Sequence, residues 1–183
     1  MKLVERFEDA ARAAAATVDR VPRDPSRIAD AISRAFPDAQ KIVIAEPVHL
    51  SAHLFDGCRR LPGVIQSRAP RSGFGLKAEM ATIDLGVTEA FAGVARTGSI
   101  CIDVNAGLNG YASLLGRVHV AVLAAEDIVE RPGDLFPRDA ARTSKLDRNF
   151  VFVTGPSATA DMGPLVRGVH GPHRLHILLM EEE

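Results

Sequence analysis

The sequence predicts one α/β domain with a mixed, mostly parallel sheet and an N-terminal helical extension. Three observations lead there. Short apolar segments rich in Val and Ile recur at residues 82–87, 91–95, 99–104, 119–123, 150–154 and 175–180. Turn residues or helical stretches separate them, the alternation expected of α/β folds. Aromatic residues make up only 5% of the chain and Trp is absent, so the core must be built mostly from Ala, Val, Ile and Leu. Cores of that kind suit parallel sheets covered by helices. Finally, 183 residues with 46% apolar content fit a single domain with a sizeable core.

Leu3, Val4, Phe7, Ala10, Ala11, Ala14 and Val18 share one helical face, which predicts a helix over residues 3–18. Pro22 and Pro25 punctuate the next stretch of chain. Ser26 is the expected cap of a second helix that runs through Phe36 and is stopped by Pro37. Residues 1–36 are thus expected as a helical arm, and residues 37–183 as the α/β domain. Within the latter, residues 41–45 (KIVIA) read as a buried strand and 48–60 as a helix. Residues 61–63 are a turn, 64–66 a second strand, and 69–75 a loop rich in Gly and Pro.

Composition narrows the function. The formal net charge is −1 and no basic stripe stands out, which argues against nucleic acid. No apolar run reaches the roughly 18 residues that suggest a membrane span. Charged residues come too early in Met1-Lys2-Leu3-Val4-Glu5-Arg6 for a signal-peptide core, so a cytoplasmic protein is expected. Cys58 and Cys101 are the only cysteines, and no CxxC occurs. They make no disulfide framework, and an iron–sulfur cluster normally needs four thiolates.

The candidate ligand residues lie in two loops, each after a strand. Thr154-Gly-Pro-Ser-Ala-Thr-Ala-Asp161 offers close backbone approach at Gly155, hydroxyls at Ser157 and Thr159, and a capping carboxylate at Asp161. The GxxxxGK[ST] phosphate loop is absent. Just downstream, Gly168-Val-His-Gly-Pro172 places His170 between glycines, suited to proton transfer or carboxylate binding. The second loop, Asn105-Ala-Gly-Leu-Asn-Gly110, puts Asn105, Gly107 and Gly110 ahead of Tyr111 and Ser113. Both loops also read as ordinary turns. Asp84, Thr88 and Glu89 sit in IDLGVTEAF. Glu89 is a candidate base or nucleophile, and Thr88 with Glu89 also reads as a helix cap with an early acid. His49 and His53 have i,i+4 spacing, and His170, His173 and His176 are three apart, but neither set makes a recognisable metal motif, and no metal is expected.

With these residues in view, the chain resembles the LutC/YkgG-type lactate-utilisation proteins, which carry the LUD domain. Ile83-Asp-Leu-Gly-Val-Thr88 with Ala95-Arg-Thr-Gly-Ser-Ile100 is similar to one family motif. Ser113-Leu-Leu with Val118-His-Val-Ala-Val122 is similar to a second. Thr154 to Asp161 with Gly168 to Leu179 is similar to the family's C-terminal signature. Arg96 stands where the family usually has glutamate, and Gly116 where proline is usual. The resemblance implies a three-layer fold like the NagB/RpiA/CoA-transferase superfamily. It also implies a part in oxidising L-lactate to pyruvate, as the cluster-free subunit that binds a small carboxylate or supports iron–sulfur partner proteins. On that reading this chain binds no cofactor of its own. Two other functions remain open: a stand-alone enzyme acting on CoA esters or sugar phosphates, and a non-catalytic scaffold, a homo-oligomer among its possible forms.

Overall fold

The computed structural model describes residues 2–65, 82–105, 108–136, 149–161 and 163–181. Helix α1 (Leu3–Ala13) buries Phe7 and Ala11. It stops short of the expected Val18 because Ala15 turns left-handed, at φ 66°. Residues Thr17–Pro22 then form strand β1, with Val18 and Val21 buried. Val18 joins the same apolar cluster as Phe7 and Ala11, which is why the helical spacing carried on into a strand. The segment read as a helical arm therefore contributes a strand to the main sheet. Arg20 on β1 reaches back to α1 through two bonds to Glu8, at 2.9 and 2.7 Å. The Arg20 guanidinium holds the Glu8 carboxyl below its ordinary value, against burial.

Helix α2 (Pro25–Ala35) is capped two residues earlier than expected, by Asp24 rather than Ser26. The Asp24 carboxylate accepts the N–H groups of Ser26 and Arg27 at 2.9 and 3.0 Å, and Pro25 takes the first-turn position it prefers. Strand β2 (Ile42–Ile44) comes next. The helix expected over 48–60 is replaced by two 3-10 turns, Ala52–Phe55 and Cys58–Arg60. These turns pack against α2, and Gly57 makes the approach possible: a Cβ there would lie 2.1 Å from the Pro25 carbonyl oxygen. The strand expected at 64–66 shrinks to one bridge between Val64 and Ile42, and Gln66 lies outside the described residues.

Among the described residues, six of the other nine strands fall on the apolar segments, the first of them three residues further along than expected, and three two-residue strands fall outside those segments. They are β3 (Leu85–Ala90), β4 (Ala92–Val94), β5 (Ser99–Asp103), β6 (Val118–Ala124), β7 (Ile128–Val129), β8 (Phe150–Val153), β9 (Ala158–Thr159), β10 (Val166–Arg167) and β11 (Arg174–Glu181). Helix α3 (Asn109–Leu115) lies between β5 and β6. The main sheet has the order β1-β11-β6-β3-β2. Every pairing in it is parallel. A second sheet has the order β7-β4-β5-β8 with parallel and antiparallel pairs, and β9 and β10 form a small antiparallel ribbon.

Three layers result. Alternate residues of the central strands feed two cores, as a parallel sheet covered on both faces requires. Val120, Val122, Leu178 and Met180 pack toward α2 and the 3-10 turns. Ala121, Leu123, Ile177 and Leu179 pack toward α1 and the second sheet, against Phe7, Ile100 and Ile102. Among the described residues no helix is long and apolar enough to cross a membrane.

Candidate functional site

Strand β3 is buried at all six positions and carries polar groups on both faces. Toward the α2 layer, Glu89 is only 1% exposed. Its Oε1 accepts the N–H groups of Val48 and His49 at 2.8 and 2.9 Å, and its Oε2 those of His49 and Leu50 at 3.1 and 2.9 Å. Both oxygens are thus occupied in clamping the loop after β2. Thr88 and Glu89 do not begin a helix, because both lie within the strand.

On the opposite face, Thr88 Oγ1 lies 2.9 Å from His119 Nε2 on β6. Among the described residues the other ring nitrogen, Nδ1, has no hydrogen-bond partner, and neither side-chain polar atom of Asn109 has one. His119 and Asn109 are both almost wholly enclosed. Buried polar groups without partners are uncommon in native proteins and call for an explanation. Helix α3 brings Asn109 to this layer. Its buried face of Asn109, Ala112 and Ser113 lies on β3, with the Ala112 backbone directly over Gly86 and Gly116 near the Gly86 nitrogen. The helix therefore runs back along β3, carrying its N-terminus toward the Thr88 end. Gly110 rests on Val104, so the end of β5 closes the same corner. There the Asp103 carboxylate accepts the Asn105 N–H at 2.9 Å.

The two sequence-predicted loops sit at the two ends of α3. Asn105, Gly110 and Ser113 belong to the corner just described, Ser113 donating to the Gly110 carbonyl at 3.2 Å. Gly107 lies outside the described residues. Gly155, at φ 66°, packs on the Ala14 carbonyl, and Ser157 lies beside Gly171 near the Leu114 end of α3. The ends of a seven-residue helix are about 10 Å apart. Ser157 donates its N–H to the Pro172 carbonyl at 3.0 Å and accepts that of Gly168 at 2.9 Å. Thr159 lies in the ribbon, and Asp161 and His170 are exposed. Sequence reasoning did not single out Asn109 or the Thr88–His119 pair as a site. The only signal was the polar side chain that Thr88 and His119 each place in an otherwise apolar stretch; Asn109 sits among turn residues and gave none.

Burial pushes the His119 imidazole down from 6.5 to about 4. The unfolded chain then takes up a proton that the folded chain refuses, so stability is full above pH 6.5 and falls toward pH 4. Between pH 7 and pH 5 this histidine alone costs about 2 kcal/mol. Urea unfolding at the two pH values should show a drop that is smaller by about that amount in His119→Gln.

Among the described residues no three metal-ligating side chains come together. His53 pairs with Asp56 at 2.8 Å, and His49 packs its ring on Phe91. Cys58 is buried on the α2 side of the main sheet and Cys101 on the outer face of the second sheet. Burial pushes both thiols up to about 12. They share no site and do not fit an iron–sulfur cluster.

A parallel sheet covered by helices on one face and backed by a mixed second sheet on the other defines a three-layer α/β domain. The chain belongs to the LUD domain family, whose model matches residues 4–180. It is 32% identical over 110 residues to Lactate utilization protein C of Halalkalibacterium halodurans, covering 58% of this chain and 47% of that protein. It is 30% identical over 105 residues to Lactate utilization protein C of Deinococcus radiodurans, covering 56% and 49%. The chain thus spans about half the length of the curated relatives it matches. The crystal structure of a DUF162 family protein from Deinococcus radiodurans superposes with a TM-score of 0.70 over 98% of this chain and 96% of that one. At 22% identity it shows the shared fold.

Proposed function

We propose that this protein is the cluster-free component of a cytoplasmic L-lactate utilisation system, in which L-lactate is oxidised to pyruvate. It binds a small carboxylate in the corner formed by Asn105, Asn109, Ser113 and His119, and iron–sulfur clusters reside in its partner proteins. The observation that carries the reading is the set of enclosed polar atoms without partners, the Asn109 amide and His119 Nδ1. A hydroxy acid offers donors and acceptors that match both an amide and an imidazole. The relatives named Lactate utilization protein C supply the substrate class, and the separated, buried cysteines agree with clusters held elsewhere.

The competing reading as a CoA-transferase-like enzyme would need Glu89 to leave its amide partners before acting as a nucleophile. The scaffold reading would need residues 1–36 to be dispensable for folding, although they include the strand β1.

Calorimetry with L-lactate and pyruvate tests the proposal, together with capture of cluster-bearing proteins by the tagged chain. Asn109→Leu is the informative variant. Removing an unpartnered buried amide is expected to raise the stability of the free protein by about 1 kcal/mol while weakening carboxylate binding at least tenfold. Absence of both ligand binding and a cluster-bearing partner would sink the reading.

A further inference from the structure

The main sheet has a groove at the end opposite Glu89, where its parallel strands begin. Two adjoining cavities of about 410 and 430 Å³ share Ala35, Phe36, His173 and Arg174. Each falls within the size range of small-molecule sites. The first also meets Arg117, Asp38 and Asp84, and the second Arg167, Thr17, Asp19 and His176.

The groove is assembled from separate parts of the chain. His173 donates its N–H to the Arg117 carbonyl at 2.9 Å, which joins the start of β11 to the start of β6. Gly168, at φ 80°, has the His173 ring where a Cβ would stand, with ring atoms at 2.4 Å from that position. The glycine lets the β10 ribbon close over the imidazole, bringing Arg167 to the groove. Among the described residues, Arg117, Arg167 and Arg174 form no ion pair with a carboxylate, whereas Arg6, Arg20 and Arg59 each do.

The floor holds the second observation. His176 is 4% exposed, yet it lines the second cavity, and among the described residues its Nε2 has no hydrogen-bond partner. The Asp19 carboxylate lies 3.7 Å from Nε2, beyond a hydrogen bond. Thr17 Oγ1 is 2.6 Å from the other ring nitrogen, Nδ1, and 3.4 Å from the Leu175 carbonyl. When the Thr17 hydroxyl donates to Nδ1, Nε2 carries the ring hydrogen and faces the cavity as a donor. When the hydroxyl donates to the Leu175 carbonyl, Nδ1 carries the hydrogen instead, so anion binding at Nε2 requires the first tautomer.

We propose that this groove binds a small organic phosphate bearing hydroxyl groups. The phosphate sits in the second cavity on Arg167, Arg174 and the His176 Nε2–H. The hydroxyl-bearing end reaches past Phe36 to Asp38 in the first. Guanidinium groups suit phosphate because they present paired donors in a plane. The Asp84 carboxylate is already engaged by the N–H groups of Gln40 and Lys41 at 3.1 and 3.0 Å, so the arginines remain available to a ligand. The site is distinct from the Asn109–His119 corner.

The test uses the full chain with adenosine monophosphate and inorganic phosphate as probes, by calorimetry and by the ring signals of His176 in NMR. Both probes should bind, the nucleotide at least tenfold more tightly, and both should move the His176 signals. Arg174→Gln and Arg167→Gln, at exposed positions, should each weaken binding at least tenfold. Arg27→Gln, at the far end of α2, should leave it unchanged. Binding of phosphate and nucleotide with equal affinity would overturn the organic-ligand assignment. No binding at 10 mM (about the limit of such a titration), unmoved His176 signals, or equal weakening by Arg27→Gln would overturn the site.

Discussion

Glu89→Gln is expected to cost about 3 kcal/mol of stability and to release the loop after β2. The carboxylate accepts from three consecutive backbone N–H groups, those of Val48, His49 and Leu50. Glutamine keeps one acceptor oxygen and turns an N–H₂ toward donors that need an acceptor. At least one buried N–H is then left unpaired, and the remaining bonds lose the strengthening of a full negative charge. Chemical unfolding measures the cost. Hydrogen exchange at residues 48–50 locates it, because their amides should lose protection while those of β6 keep it relative to the new global stability. Unchanged protection at these amides would mean that the loop is held by something other than the carboxylate.

Gly86→Ala should cost at least about 3 kcal/mol for a different reason. A Cβ on Gly86 would lie 1.9 Å from the Ala112 carbonyl oxygen and 2.6 Å from its carbon. Both partners are backbone, so no rotamer change relieves the clash, and α3 must lift off the sheet. For a domain of this size the loss corresponds to a fall in melting temperature of roughly 10 °C. Gly133→Ala is the control: a Cβ there meets nothing within 4 Å and should change little. Because α3 carries Asn109, Gly86→Ala should also weaken any ligand held in the corner.

The parallel core was legible because both faces of its strands are buried, leaving uninterrupted runs such as residues 119–123 and 175–180. The N-terminal strand was not, because Ala14 and Val18 repeat the spacing of α1 while the break falls at Ala15, an alanine in a conformation that usually signals itself with glycine. The 48–60 segment misled for the opposite reason. It has a helical composition, but its first amides belong to a carboxylate some 40 residues away. Of the candidate site, the loop at Asn105–Gly110 could be read from its turn residues. Asn109 could not be distinguished from its neighbours, since its significance comes from enclosure under β3 rather than from any motif. The groove was equally hidden: its arginines are scattered through the sequence and meet only because strands β6, β10 and β11 begin near one another.

The position of β11 also shapes how the molecule comes together. Among the described residues it is the last strand in sequence, yet it lies in the interior of the sheet between β1 and β6. Thr17 finds its partner 159 residues later. Closing so long a loop costs chain entropy before any pairing offsets it, which slows folding. During synthesis, β1 has no strand to join until residues 174–181 have left the ribosome, so its apolar face stays without its sheet partner while all the intervening chain is made. The nascent chain is therefore expected to engage chaperones through its N-terminal segment, and to complete its central sheet in one late event.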